Sequence, residues 1–285
     1  MKIAHLSDLH LLDLRGASPL RFLNKRLTGW VNLKLKRGHK HKPEPVAAAA
    51  RALRAEGVDH VVITGDVTNL ALPAEFERVR RFLEEELGLP PEDVSLVPGN
   101  HDAYTRGAAR TGRFRSYFGR YMTSDLPELA TATGFPFVRL RGPLAIIGLS
   151  SAVPRPPLVA AGEIGASQLA ALERILAHPE VARRRAVVLG HHPIYAPTTG
   201  RKAYFEALRD REALASVLRA AREPLLLHGH LHRRIQRRLG ITGEAAGEAP
   251  ASLLSIGATS TSLLSDDPDR RAGFNLYEFD DAGGL

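Results

Sequence analysis

The chain has 285 residues, 44% of them hydrophobic and 25% charged, a composition typical of a globular protein with a large core. It contains no cysteine, which excludes disulfide bonds, thiolate metal sites and a cysteine nucleophile. The formal net charge of +8 comes from one local cluster of basic residues, which indicates an anionic partner at one place on the surface, and the apolar runs are too short for a membrane-spanning helix.

The N-terminal residues predict a β-strand at Lys2–Leu6 and show no signal-peptide pattern, so we expect a cytoplasmic protein. A basic segment follows: nine basic residues and no acidic residue lie between Arg15 and Lys42, and the rest of the chain is nearly neutral. Apolar residues recur in this segment at helical spacing, namely Leu20, Leu23, Leu27 and Trp30 or Val31. The pattern predicts a basic amphipathic insertion at about 14–44.

Three interpretations of this insertion remain open. The first is a helix packed on the domain with a solvated basic face. The second is a contact with an anionic membrane surface through residues 15–42, and the third is a cap that holds an anionic substrate. The second interpretation would place the protein at the inner face of the membrane. His39 and His41, near the end of the segment, are interpreted as part of a solvated basic loop, with a role beside a functional site as the alternative.

Strands and helices alternate along most of the remaining chain. Apolar and β-branched runs predict strands at Val58–Thr64, Val94–Val97, Ala145–Leu149, Ala186–Leu189 and Leu225–Leu227. Helical patterns predict helices at Pro45–Glu56, Pro73–Leu87, Ala166–His178 and Phe205–Arg222. Later strands are expected at Arg234–Leu239, Ser252–Ile256 and Phe274–Phe279, with loops at Thr242–Ala251 and Ser265–Arg271. The alternation predicts an α/β fold, and residues 1–285 are expected to form a single domain because no long linker divides them.

Polar clusters follow five of the predicted strands. They are Asp8-Leu9-His10, Gly65-Asp66, Gly99-Asn100-His101-Asp102, Gly190-His191-His192 and Gly229-His230-Leu231-His232. Ligands of α/β sheets bind beyond the carboxyl ends of the strands, so these clusters should converge on one place. Imidazole, carboxylate and amide oxygen are ligands of divalent metal ions, and the preceding glycines allow the backbone to turn sharply. Each cluster alone is compatible with an ordinary turn, but the ordered set predicts a metal site.

The order of these motifs resembles the calcineurin-like binuclear metallophosphoesterase superfamily from Asp8 to His232. The opening residues 5–11 are most similar to its class III cyclic-nucleotide phosphodiesterase branch. The resemblance implies a four-layer α/β/β/α sandwich with mixed sheets. It also implies two divalent metal ions: one bound by Asp8, His10 and His232, a second bound by Asn100, His191 and His230, and Asp66 as the bridge between them. His191 is favoured over His192 because it lies closer to the end of the strand.

Two cations in such a site would convert a shared water into a metal-bound hydroxide nucleophile, while Asp66 offsets their mutual repulsion. His101 cannot easily reach the metal bound by Asn100, so we expect it to stabilise the phosphoryl group or to protonate the leaving oxygen. Asp102 could orient His101, and Asn69 could hold either of these two residues; ordinary hydrogen bonding within the loops is the alternative for both. Manganese (Mn) or iron (Fe) is expected from the resemblance, and zinc, cobalt or nickel also suit mixed nitrogen and oxygen ligands.

These patterns predict a metal-dependent phosphoesterase that hydrolyses phosphodiester bonds in cyclic nucleotides or small diesters. The alternative is a membrane-surface pyrophosphatase of a lipid-linked nucleotide such as UDP-diacylglucosamine, which the basic insertion would suit. The complete set of ligand residues argues against a metal-free binding scaffold. A nuclease would suit the basic segment, but no aromatic platform for stacked bases is evident, and specific binding of a nucleic-acid duplex is not expected.

Overall fold

The computed structural model describes residues 1–17, 26–27, 30, 40–197, 199–241 and 251–285. Its strands are β1 (Lys2–Leu6), β2 (His60–Ile63), β3 (Val94–Leu96), β4 (Phe137–Arg141), β5 (Leu144–Gly148), β6 (Arg185–Leu189), β7 (Leu225–His228), β8 (Ile235–Ile241), β9 (Ala251–Gly257) and β10 (Asn275–Glu278). Its helices are α1 (Pro43–Glu56), α2 (Pro73–Arg81), α3 (Arg106–Arg110), α4 (Arg113–Phe118), α5 (Ala166–Ala177), α6 (Pro179–Ala182), α7 (Gly200–Glu206) and α8 (Arg211–Leu218). A π-helical turn at Phe82–Leu87 continues α2.

The strands form two mixed sheets. The first has the order β10-β1-β2-β3, with β1, β2 and β3 parallel and β10 antiparallel to β1. The second has the order β4-β5-β6-β7-β9-β8, with parallel pairing from β5 to β9 and an antiparallel strand at each edge. Because β10 pairs with β1, the C-terminal part of the chain completes the sheet that the N-terminal part begins.

Successive residues of the central strands face different cores. Along β2, Val62 lies in the core between the sheets, whereas Val61 and Ile63 lie in an outer core covered by α1 and α2. Along β6, Val187 lies in the core between the sheets, and Val188 lies in a second outer core covered by α5 and α8. Strands buried on both faces read as continuous apolar runs, as these do. The four-layer α/β/β/α sandwich is therefore confirmed.

The prediction of one continuous helix at Phe205–Arg222 is wrong, because the chain is not helical at residues 207–210. Between α7 and α8 the chain leaves the helical conformation, and Leu208 becomes fully buried beside Gly162. Asp210 accepts hydrogen bonds from the backbone N–H groups of Ile164 and Gly165, where α5 begins. Burial of Leu208 and the hydrogen bonds to Asp210 stabilise this interruption of the helix, which no glycine or proline in the sequence predicts.

Strand β4 was not predicted from the sequence, and the short helices α3, α4 and α6 were also missed. β4 contains Arg139, whose side chain is fully buried although its charge suggests a surface position. Its guanidinium donates hydrogen bonds to the backbone oxygens of Pro91 (2.8 Å) and Arg120 (3.0 Å). Backbone carbonyls thus satisfy a charge that interrupts the apolar pattern of the strand.

The basic insertion falls largely outside the described residues, including Leu20, Leu23, Val31 and His39. The described Arg26 is buried and donates to the backbone oxygens of Leu70 (2.7 Å) and Ala71 (3.1 Å), and Trp30 packs against the outer core of the first sheet. These two side chains therefore serve the domain itself. Residues 242–250 of the expected loop also lie outside the described residues, and no helix in the part of the chain that the structure describes could span a membrane.

Candidate metal centre

The backbone turns at the strand ends are made largely by the predicted ligands themselves. Five of them adopt the left-handed conformation, with φ angles of 52° at Asp8, 44° at His10, 51° at Asp66, 68° at His230 and 48° at His232. This region costs a residue other than glycine about 1 kcal/mol. Such strain persists where the surrounding structure enforces it, and it is commonest at functional sites.

Glycines beside the ligands provide close approach. A Cβ atom at Gly99 would lie 2.2 Å from Oδ1 of Asp66, and one at Gly229 would lie 1.9 Å from Oγ of Ser7 and 2.4 Å from Oδ2 of Asp8. Neither position has room for a side chain. The expectation that these glycines make the turns is therefore replaced by a packing role at both positions.

The residues of the first predicted metal position lie close together beyond β1 and β7. Oδ1 of Asp8 lies 3.0 Å from Nε2 of His232 and 3.8 Å from Nε2 of His10, and these two imidazole nitrogens are 3.3 Å apart. Asp8 Oδ1 is buried and accepts no hydrogen bond in the described structure, whereas Oδ2 accepts from Ser7 Oγ and the His230 backbone N–H. A buried carboxylate oxygen facing two imidazoles fits a divalent cation.

The residues of the second predicted position surround Asp66. Its Oδ2 lies 3.4 Å from Nε2 of His191 and 4.0 Å from Nε2 of His10, so the carboxylate stands between the two groups. Asn100 Oδ1 is 3.1 Å from Nε2 of His191. The ring of His230 lies 5.2 Å from that of His191, and its Nε2 is 3.1 Å from the Glu206 backbone oxygen, which leaves Nδ1 as its candidate ligand atom. All seven side chains therefore meet at one edge of the sandwich.

Adjacent His191 and His192 have different environments. His191 donates from Nδ1 to the Thr64 backbone oxygen at 2.7 Å, and this bond directs Nε2 toward Asp66. Both nitrogens of His192 are engaged by the protein, with Ser151 Oγ and the Ala160 backbone oxygen each 2.7 Å away. The structure thus offers His191, and not His192, to a ligand at the site.

His101 lies at the rim of the same group. Its backbone N–H donates to Asp66 Oδ1 at 2.7 Å, and its Nδ1 lies 2.6 Å from the backbone oxygen of Asn69. The Asn69 side chain donates in turn to the His10 backbone oxygen at 2.7 Å. Tyr104 stacks on the His101 ring with a centroid distance of 5.4 Å and an angle of 16°. Asn69 and Tyr104 together fix the orientation of this imidazole.

Asp102 does not contact the His101 ring in any described hydrogen bond. It accepts from the backbone N–H groups of Thr68 and Gly99, each at 2.9 Å, and from the Thr68 hydroxyl at 2.8 Å. Burial and the nearby Asp66 carboxylate raise the pKa of Asp102 to about 7, against the effect of these donors. Asp102 therefore joins the loops that follow β2 and β3.

The carboxylates of Asp8 and Asp66 are anionic despite their burial. Burial raises the pKa of Asp8, but His232 outweighs it and brings that pKa to about 2. Burial likewise opposes ionisation of Asp66, and His191, then His101, hold its pKa well below the usual range. In return, Asp66 overcomes the effect of burial on His191 and raises its pKa to about 9. The two carboxylates thus create a strongly negative environment that favours positive charge at this place.

His41 also belongs to this neighbourhood. Its ring lies 4.7 Å from that of His10 and 5.3 Å from that of His232, both in edge-to-face geometry. One ring nitrogen of each of these three histidines lies within 4.8 Å of the other two. The interpretation of His41 as part of a solvated loop is therefore wrong, and its only signal in the sequence was the alternation of histidine and lysine at residues 39–42.

Comparison with known proteins identifies the class. The model of the calcineurin-like phosphoesterase family matches residues 1–234, and the chain belongs to this family. The class that the fold and the site define is therefore that of the calcineurin-like phosphoesterases. The family supports divalent metal ions as cofactors and a phosphoester as the substrate.

Two relatives indicate the branch of the family to which the chain is most similar. The chain is 29% identical over 232 residues to a cAMP/cGMP dual specificity phosphodiesterase of Mycobacterium tuberculosis. The aligned region covers 81% of this chain and 61% of that protein. It is 26% identical over 286 residues to a "probable cyclic nucleotide phosphodiesterase" of Synechococcus, with 99% and 89% covered. The chain thus spans less than two thirds of the mycobacterial protein. These relatives confirm the resemblance to the cyclic-nucleotide branch.

A solved structure shares the fold. A dimetal phosphatase from Danio rerio superposes with a TM-score of 0.60 at 16% sequence identity, covering 97% of this chain and 91% of that one. At this identity the likeness shows the four-layer fold alone.

Proposed function

We propose that the chain is a two-metal phosphodiesterase that acts on cyclic nucleotides or similarly small diesters. The observation that carries the proposal is the buried, ionised Asp66 carboxylate between the imidazoles of His10 and His191. This is the arrangement needed by a ligand that bridges two cations. The names of the two relatives support a cyclic nucleotide as the diester, and they favour it over the lipid-linked nucleotide of the alternative.

Each ion would take ligands from both sheets. The first would be held by Asp8, His10, His232 and Asp66, and the second by Asp66, Asn100, His191 and His230. When bound, two divalent cations acidify water and neutralise the charge of the phosphate oxygens. Manganese or iron is the metal that we propose, because the ligands combine nitrogen with hard oxygen donors and the family resemblance favours these ions.

His101 would act on the departing group. The Asn69 backbone oxygen holds Nδ1, so Nε2 is the atom that would reach the phosphoryl group. A proton carried on Nε2 would pass to the oxygen that leaves as an alcohol, while the stack on Tyr104 keeps the ring in place. We also propose that residues 1–285 form one domain with the basic insertion at 14–44, since β10 pairs with β1.

A substrate panel tests the proposal. Metal-free protein is reloaded with Mn²⁺ and assayed with bis-p-nitrophenyl phosphate, p-nitrophenyl phosphate, cyclic AMP and a UDP-linked glycolipid. Both diesters should be hydrolysed, EDTA should abolish the activity, and Mn²⁺ should restore it. Strong monoester hydrolysis without diester hydrolysis would contradict the proposed reaction, and turnover of the glycolipid alone would favour the alternative.

A further inference from the structure

We propose that His41 is an additional ligand of the first metal ion, beside Asp8, His10 and His232. This inference rests on the proposed two-metal function. It adds an imidazole that the motif pattern of the sequence did not include. The starting observation is that His41 shares with His10 and His232 a set of ring nitrogens within 4.8 Å of one another.

The backbone on either side of His41 is hydrogen-bonded to residues 259–264, a segment that also contacts the end of β1 at Ser7 and Asp8. The backbone N–H of Lys42 donates to the Ser262 oxygen at 2.9 Å, and that of Leu264 donates to the Lys40 oxygen at 2.7 Å. Residues 259–262 of this segment are buried, and the Thr261 backbone N–H donates to the Ser7 oxygen at 2.9 Å. His41 is therefore held against the same strand end that carries Asp8, and a ligand in a metal site needs such a fixed position.

Hydrogen bonds also assign the ring proton of His41. Its Nδ1 lies 2.8 Å from Ser262 Oγ, and the hydroxyls of Ser260 and Ser262 donate to the Asp8 backbone oxygen at 2.7 Å and 3.3 Å. A Ser262 hydroxyl that donates its hydrogen to this carbonyl oxygen can only accept at its other contact, so the proposed arrangement places Nδ1–H of His41 toward Ser262. Nε2 then carries the lone pair of the neutral ring, which is the form that binds a metal.

The same arrangement occurs at two of the proposed ligands. Nδ1 of His10 lies 3.3 Å from the Thr68 backbone oxygen, and Nδ1 of His191 lies 2.7 Å from the Thr64 backbone oxygen. An acceptor at one ring nitrogen fixes the tautomer that presents the other nitrogen to a metal. His41 differs in that a serine hydroxyl serves as the acceptor and passes the hydrogen-bond chain to Asp8.

Metal binding tests the inference directly. Metal-free wild-type protein is titrated with Mn²⁺ by calorimetry, bound metal is counted by elemental analysis, and the visible absorption of the Co²⁺-loaded protein is recorded. In His41→Ala and His41→Gln, one of two Mn²⁺ ions should bind at least about tenfold more weakly, the other should be unchanged, and the Co²⁺ absorption should shift. His178→Ala, which changes a histidine beside Glu128, is the matched control and should behave as wild type.

The outcomes separate the two proposals. If the wild-type protein binds two ions and both His41→Ala and His41→Gln bind them with unchanged affinity, the assignment of His41 is overturned while the two-metal function stays intact. Unchanged metal binding with slower turnover would overturn it as well, since His41 would then contact substrate. A wild-type protein that binds no stoichiometric metal would refute the proposed function and, with it, this inference. Thermal unfolding of the metal-free variants shows whether they fold.

Discussion

The two sheets contribute different chemistry to the candidate metal centre. Loops after the first sheet supply the oxygen ligands Asp8, Asp66 and Asn100, together with His10, whereas loops after the second supply imidazoles only, His191, His230 and His232. The negative charge that attracts cations therefore comes from one sheet, and the other completes the coordination. Each proposed ion is bound by both sheets, so metal binding should join the two halves of the sandwich.

The largest expected effect is on the first sheet, at the bridging carboxylate. Asp66→Ala should remove both ions and lower turnover by more than about 10⁴-fold, beyond the contribution of a single proton donor. Steady-state assays with bis-p-nitrophenyl phosphate and elemental analysis measure the two effects. Asp125→Ala, at a carboxylate paired with Arg141 on the edge of the second sheet, is the control and should keep both ions. Retention of two ions by Asp66→Ala would exclude the bridging role.

The next effect separates chemistry from metal binding. His101→Ala should lower turnover by about 10²–10⁴-fold, the range of a positioned proton donor, with both ions still bound. The reason is that Nδ1 of His101 is held by the Asn69 backbone and the ring lies at the rim of the group. Turnover and metal content are measured together. Loss of an ion in this variant would make His101 a ligand instead.

The third effect tests the second sheet through neighbouring histidines. His191→Ala should lose one ion, whereas His192→Gln should keep both because its nitrogens face Ser151 and Ala160. An ion at a hundred times its dissociation constant stabilises the fold by about 2.7 kcal/mol, so Mn²⁺ should stabilise His191→Ala less than wild type. Denaturant unfolding with and without Mn²⁺ provides the comparison. The reverse result would assign the ligand to His192.

The smallest effect concerns acid stability, through a histidine within the first sheet. His60 is buried beside Ser95 Oγ at 2.9 Å, and burial, then Arg139, lowers its pKa to about 3. In the unfolded chain this imidazole takes up a proton near its ordinary pKa of 6.5 and in the native state it does not, so the free energy of unfolding falls as pH drops from 6.5 toward 3. His60→Gln should reduce the change of the free energy of unfolding with pH by at most about 1.4 kcal/mol per pH unit. Urea unfolding across that range measures it, and an unchanged slope would contradict buried, neutral His60.

Much of this architecture could be predicted because the relevant signals are local. Apolar runs identified the central strands, and the motifs after them identified residues that do converge, from Asp8 to His232. What the sequence did not show depends on distant partners. Arg139 is buried because carbonyls of Pro91 and Arg120 surround it. Likewise, His41 reaches His10 only because Ser262 and Leu264 hold its backbone. No periodicity encodes such pairings.

The five left-handed ligand positions have an evolutionary consequence. Glycine adopts such a backbone conformation most readily, so exchange of His232 or Asp66 for glycine would relax the local conformation while it removes a ligand of the proposed metal centre. Selection for robustness alone, as in a heat-challenge screen of random variants, would therefore drift toward well-folded but inert proteins. Only selection on turnover would retain aspartate and histidine at these bends.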